Sequence, residues 1–306
     1  MKLSELVSYK NELDRFDIES TRVSVNTDLE KITHLVNDTG LTQRLGEINQ
    51  TLTEFNLAFD QLKKNLQDQI SEAEIPWIRE SYNQYDRGEA MYADDILKGR
   101  PYSLESTPFH ARVLRHNNWK YPAMVIRPGL DSFIDKMVAC DPLYLVDLSY
   151  DFLRPAMERF HEKFQNRLRT YVVQEDIDRA MLAQLPNEQF GVCIAFNYFN
   201  FRPFEIIKKY LEEIYQKLKP GGYFLFSFND CDRRSAVELV ERCYCSYTPG
   251  HLVQQLVDTV GYEIVYSWND DGPTTWMEIR RPGELDSLRG GQAMAKILPK
   301  PVANSK

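Results

Sequence analysis

Between residues 119 and 282 short apolar runs alternate with amphipathic stretches, and nothing else in the sequence limits the fold as tightly. Runs at 121–126, 143–146, 168–173, 190–196, 223–228, 262–268 and 275–280 read as strands. Phe133, Ile134, Met137 and Val138 mark a helix after the first run, and residues 151–165 mark one after the second. Residues 203–218 carry Phe204, Ile207, Leu211, Ile214 and Leu218 on one helical face, and 233–243 and 249–260 are further helices. Strands that alternate with helices pair in parallel, because each crossover needs the length a helix supplies. The expected fold is therefore α/β, with a mainly parallel sheet covered on both faces. The last two strands are too close for a crossover, which predicts an antiparallel hairpin at one edge.

The first 75 residues follow a different rule. They hold no Cys, Pro or Trp, and they carry 8 Lys+Arg against 14 Asp+Glu. Leu41, Leu45, Ile48, Leu52, Phe55, Phe59, Leu62 and Leu66 step by 4, 3, 4, 3, 4, 3 and 4 residues, with Gln43, Arg44, Glu47, Asn49, Gln50 and Glu54 between them. That seam keeps one stripe facing a partner helix and predicts a coiled coil. The alternative is a helix folded back on the globular part. Leu29, Ile32 and Val36 suggest a shorter helix ending at Asn37–Gly40, with Gly40 as its C-cap and Thr39 or Thr42 opening the next. Phe55 and Phe59 are bulky for two strands, so dimer, trimer and larger orders stay open. Pro76 is expected to end the helix at Ile75. The expected parts are a helical coiled-coil oligomerisation arm (1–75), a connector with short helices (76–118), the α/β domain (119–282) and an irregular tail (283–306).

Bulk properties narrow the function. With 43 % apolar and 27 % charged residues the chain builds an ordinary core, and its net charge of −8 argues against a nucleic-acid partner. The five cysteines include no CxxC pair, so a disulfide framework or zinc site is not expected. Neither an apolar leader nor a run of membrane-spanning length occurs, which predicts a cytoplasmic protein without a membrane partner. His34, His110, His116, His161 and His251 are scattered without metal-ligand spacing and read as surface or packing residues. Arg233–Arg234 and Arg280–Arg281 read as solvated pairs.

Local signatures in the α/β region occur in a telling order. They are Ala123–Phe133 with Arg127-Pro128-Gly129 after the first strand, Tyr144–Ser149 ending in Asp147, Leu185–Asn197, and Leu218-Lys219-Pro220-Gly221-Gly222 before the fifth strand. Tyr247-Thr248-Pro249 and Val260–Val265 close the series. This region resembles the class I S-adenosylmethionine-dependent methyltransferase family over roughly half the chain. The resemblance implies a Rossmann-like class I sheet with S-adenosylmethionine at the carboxyl ends of its strands, preceded here by the long helical arm. It implies cofactor contacts at Gly129, Asp147, Asp176 and Asn197, with the Asp147 carboxylate accepting from the ribose hydroxyls. A second role is open to Asp147, as the cap of the helix near Tyr150. Glu175 and Asp176 sit where the family often has an acid near adenine.

The chain departs from the family at the cofactor loop. Where an acidic residue and three alternating glycines are usual, it has Val125, Arg127, Gly129 and Asp131. Glycine at the first position permits close backbone approach, whereas arginine brings a long cation toward the cofactor's sulfonium. Arg127 could pair instead with Asp131 or Asp147 and lock the pocket. Gly191 replaces an acid often found after the phenylalanine of the fourth-strand motif, and Asn197–Asn200 lacks the proline pair of relatives that methylate nucleic-acid amines. Two functional classes follow. One is a methyltransferase acting on a small molecule or protein, with weakened or lost activity, held as a homo-oligomer through residues 29–70. The other is an inactive interaction or structural subunit of a larger assembly, of which a phage virion is one setting. A nicotinamide oxidoreductase, which shares the sheet topology, lacks its GxGxxG loop here.

Overall fold

The computed structural model describes residues 3–15, 27–28, 31–32, 39–83, 104, 107–117, 119–128, 132–269 and 271–285. The chain divides into two compact units, Met1–Trp77 and Ile78–Lys306. Gly129, Leu130 and Asp131 lie outside the described residues, as do His34, most of the proposed helix around Leu29–Val36 and most of the tail.

The first unit contains α1 (Leu3–Arg15) and most of α2 (Thr39–Asn83). Gly40 is not a C-cap: it sits in the first turn of α2. Pro76 does not end this helix, which runs on to Asn83. Proline deletes one intrahelical donor, that for the Glu72 carbonyl, and Glu72 is exposed, so the loss does not bury an unpaired residue. Leu41, Ile48, Phe55, Leu62 and Leu66 are exposed along α2.

In the second unit α3 (Phe109–His116) precedes a seven-stranded sheet. The strands are β1 (Ala123–Ile126), β2 (Leu143–Asp147), β3 (Leu168–Val172), β4 (Phe190–Ala195), β5 (Leu218–Asn229), β6 (Glu263–Trp268) and β7 (Thr274–Arg280). They lie in the order β3-β2-β1-β4-β5-β7-β6. Pairs from β3 through β5 are parallel, and β7 is antiparallel to both β5 and β6. This is the Rossmann-like sheet with its antiparallel edge hairpin that the sequence predicts. The central strands β1 and β4 are buried along their whole length because helices cover both faces, whereas the edge strands β3 and β6 are partly exposed. Ile206, Ile207, Leu211 and Ile214 of α6 (Phe204–Lys217) and Val253 and Val257 of α8 (Gly250–Val260) pack with Met124, Cys193 and Phe224. Across the sheet Phe109, Val113, Phe133, Met137, Leu153 and Ala156 join Val125, Ile194 and Trp276.

Several local expectations change. Residues 132–139 form a 3-10 rather than an α-helix. The helix expected over 151–165 is two pieces, α4 (Tyr150–Glu158) and α5 (Glu162–Gln165), and His161 caps the second by accepting from the Lys163 N–H. Leu218–Gly222 is drawn into β5 rather than forming a separate turn, with Gly221 at φ 77°. The hairpin partner explains this: the Gly221 N–H donates to the Arg281 carbonyl, and the Arg281 N–H donates to that of Gly222. A short helix α7 (Arg234–Glu241) follows β5. Arg281 is not a solvated cation, because its guanidinium bonds the Tyr215 and Leu218 carbonyls and Glu188.

Candidate cofactor site

The strand order reverses between the parallel neighbours β1 and β4, so the crevice for a ligand opens at their carboxyl ends. Both strands exit there through a left-handed residue that is not glycine, Arg127 at φ 54° and Asn197 at φ 53°. Side chains tolerate that region poorly, and its occupation at a strand end marks stored strain. Asn197 is held by its N–H, which donates to Ser227 Oγ on β5 at 2.8 Å.

The Arg127 side chain turns toward the end of β2. Its Nη1 donates to Asp147 Oδ1 at 2.6 Å, and both side chains are almost wholly buried, at 1 % and 0 % exposure. The Leu148 N–H donates to the same oxygen at 2.7 Å. The guanidinium lies 4.1 Å over the Phe152 ring of α4 and 6.0 Å from the Tyr198 centroid. Burial raises the pKa of Asp147 above its ordinary value, and Arg127 opposes that rise by charge and hydrogen bond. Asp147 does not cap α4; Ser149 does, accepting from the Asp151 N–H.

A second buried pair lies beside the first. Arg202 Nε bonds Glu175 at 3.0 Å with side-chain exposures of 0 % and 1 %, and the guanidinium sits 4.5 Å over Tyr198. The Tyr198 hydroxyl donates to Glu175 and meets that of Tyr210 at 3.1 Å. Desolvation pushes both phenols well above their ordinary pKa, so they stay protonated and serve as hydrogen-bond groups. The carboxyl edge thus holds two arginines and two carboxylates bracketing one tyrosine ring. Each charge has an opposite partner, as buried ions require.

Of the residues assigned from the resemblance, the structure brings Asp147 and Asn197 to this edge, while Gly129 lies outside the described residues. Asp176 lies in an open cleft of about 400 Å³ lined by Gln174–Arg179, Pro203 and Ile206, which Glu175 of the second buried pair shares. There its carboxylate accepts from the Asp178 N–H and pairs with Arg179 at 3.5 Å. Phe152, Tyr198 and Arg202 escape sequence reading because they lie on elements that only the fold brings together. Gly191 has a packing reason: a Cβ there would come within 2.5 Å of Tyr121.

These residues do not fit S-adenosylmethionine as they stand. The ribose hydroxyls would need the Asp147 carboxylate, which is wholly covered, with Oδ1 engaged by Arg127 and Leu148.

Residues 131–226 match a family model described as a methyltransferase domain. Over that stretch the chain is similar to the methyltransferase domain family. The matched span begins at Asp131, after β1 and Arg127, and ends within β5. None of the curated proteins matches the chain. Among solved structures, the N-methyltransferase NodS from Bradyrhizobium japonicum, in complex with S-adenosyl-L-homocysteine, is similar at TM-score 0.46 and 17 % identity, over 66 % of this chain and 100 % of that one. An S-adenosylmethionine-dependent methyltransferase from Mesorhizobium loti gives TM-score 0.45 and 15 % identity, over 58 % of this chain and all of its own. A possible exported protein from Bordetella parapertussis gives 0.45 and 14 %, over 57 % of this chain and 66 % of that one. No helix among the described residues is long and apolar enough to cross a membrane.

Proposed function

We propose that this methyltransferase-like domain keeps the fold but closes its cofactor position with its own side chains, so that it serves as a non-catalytic interaction module. The helical arm joins copies of the chain within an assembly. The observation that carries the reading is the buried Arg127–Asp147 pair, which occupies the carboxylate a cofactor ribose would use. A cofactor would have to displace a hydrogen-bonded guanidinium stacked on Phe152, in a site where charge pairing is strong. The seam on α2, exposed at Leu41, Ile48, Phe55 and Leu62, supports the role of the arm.

One observation favours a second reading, an active S-adenosylmethionine-dependent methyltransferase. Asp147 Oδ2 is buried and has no hydrogen-bond donor among the described residues, and a ribose hydroxyl would supply one after Arg127 withdrew. Calorimetric titration with S-adenosylmethionine and S-adenosylhomocysteine separates the two. No heat from the native chain, with binding gained in Arg127→Gly, is the expected result. Micromolar binding to the native chain would overturn the closed-site reading.

A further inference from the structure

The stripe on α2 reads the same from both ends: the steps from Leu41 to Leu66 are 4, 3, 4, 3, 4, 3 and 4. Turned end for end about a point between Thr53 and Glu54, each seam position meets another. Leu41 faces Leu66 of a second copy, Leu45 faces Leu62, Ile48 faces Phe59, and Leu52 faces Phe55. A parallel pair sets Phe55 on Phe55 and Phe59 on Phe59 instead. That crowds two successive layers and leaves Ile48 and Leu52 in thinner ones. Cores pack best where large side chains meet smaller ones.

The surface of the helix agrees with the reversed pairing. Phe55 and Phe59 stack on each other at 6.4 Å and form one aromatic block. Beside it runs a groove of about 700 Å³ lined by Arg44, Glu47, Ile48, Thr51, Leu52 and Phe55. Ile48, Thr51, Leu52 and Phe55 have the spacing of the four residues that form a hole for a partner's knob. Thr51 keeps that hole shallow-walled, and Ile48 and Phe55 at its ends are 53 % and 57 % exposed. In the reversed pair the incoming residue level with Leu52 is Phe55.

The flanking charges permit this orientation. Gln43 and Gln50 bond Glu47 and Glu54 along the outer face, at 3.3 and 2.9 Å. Beside the seam between residues 42 and 65 the charges are Arg44 and Lys63. In the reversed pair Arg44 lies near Asn65 and Lys63 near Thr42, so like charges do not meet. The complementary flanking charges that fix many parallel coiled coils are lacking.

We propose that α2 pairs with a second copy of this chain as an antiparallel two-fold dimer, each Phe55 seated in the other's groove between Ile48 and Leu52. The interface is then isologous and closed. This rests on the reading that the arm joins copies, and sedimentation equilibrium of the full chain tests the two separately. A dimer is expected; a monomer sinks both, and a trimer overturns the antiparallel pair while leaving the arm reading intact. Orientation is read from full-length Leu41→Cys and Leu66→Cys variants, mixed and gently oxidised. Linked peptides are identified by mass spectrometry against the background of the native cysteines. Links from 41 to 66 are expected, and predominant 41-to-41 and 66-to-66 links would overturn the proposal. A Gln43→Cys variant leaves the seam intact. Spin labels there should stand roughly 30 Å apart along the axis in the antiparallel pair. A separation without that axial offset would overturn the proposal.

Discussion

Replacing Arg127 by Met removes one half of a buried ion pair and leaves the other. Asp147 keeps the Leu148 N–H, loses its strongest partner, and stays 0 % exposed, with no donor to Oδ2 among the described residues. Breaking a buried pair in this way costs about 3–5 kcal/mol. The cost falls at the low end, about 3 kcal/mol, because the Asp147 carboxyl already has a raised pKa and can take up a proton. Backbone strain supplies an internal control. At φ 54° an alanine keeps the strain of arginine while a glycine relieves it, so Arg127→Gly should be about 1 kcal/mol more stable than Arg127→Ala. Replacing both partners, as Arg127→Met with Asp147→Leu, should return stability to within about 1 kcal/mol of the native chain. The pH dependence has a definite sign. In Arg127→Met the folded-state pKa of Asp147 rises further above its unfolded value, so the folded state binds the proton more tightly. The deficit should be full above that raised pKa and shrink as pH falls through it. Urea unfolding followed by near-ultraviolet circular dichroism, repeated from neutral to mildly acidic pH, measures all of this. A neutral-pH loss in Arg127→Met below about 0.5 kcal/mol would show that the pair does not hold the site shut.

Three further outcomes test other parts of the domain. Glu278 is buried on β7 and bonds Arg112 and His116 of α3, which hold its carboxyl below the usual range against desolvation. Glu278→Gln should lose about 2 kcal/mol by thermal unfolding. In the native chain this stabilisation is present above the ordinary value of 4.5 and lost as pH falls through the lowered pKa; an acid limb unchanged in Glu278→Gln would refute the assignment. Tyr198→Phe deletes the hydroxyl between Glu175 and Tyr210 and should cost about 1–2 kcal/mol in urea, with no loss refuting the network. Gly191→Ala should cost about 1–3 kcal/mol because its methyl meets the Tyr121 Cβ at 2.5 Å, and Tyr121→Gly in the same chain, which removes that Cβ, should recover part of the cost.

The sequence by itself determined the sheet. Runs such as 190–196 and, apart from Ser227, 223–228 are apolar because both faces are buried, and that pattern survives in one dimension. The spacing of Leu41–Leu66 likewise specified one long helix, since a side-chain stripe is a local property. The loss of glycine at Arg127 was legible too, with its pairing open between two acids. Only the tertiary structure set Asp147 beside Arg127, because β1 and β2 are neighbours in the sheet while the two residues are 20 apart in sequence; Asp131 lies outside the described residues. The fold also set Phe152, Tyr198, Glu175 and Arg202 around that pair. Their roles depend on distances and burial between strand ends, which spacing along the chain does not encode. Extending α2 past Pro76 and drawing Leu218–Gly222 into β5 had the same origin. Local rules for proline and glycine state a preference, and the exposure of Glu72 and the paired edge of β7 outweighed it.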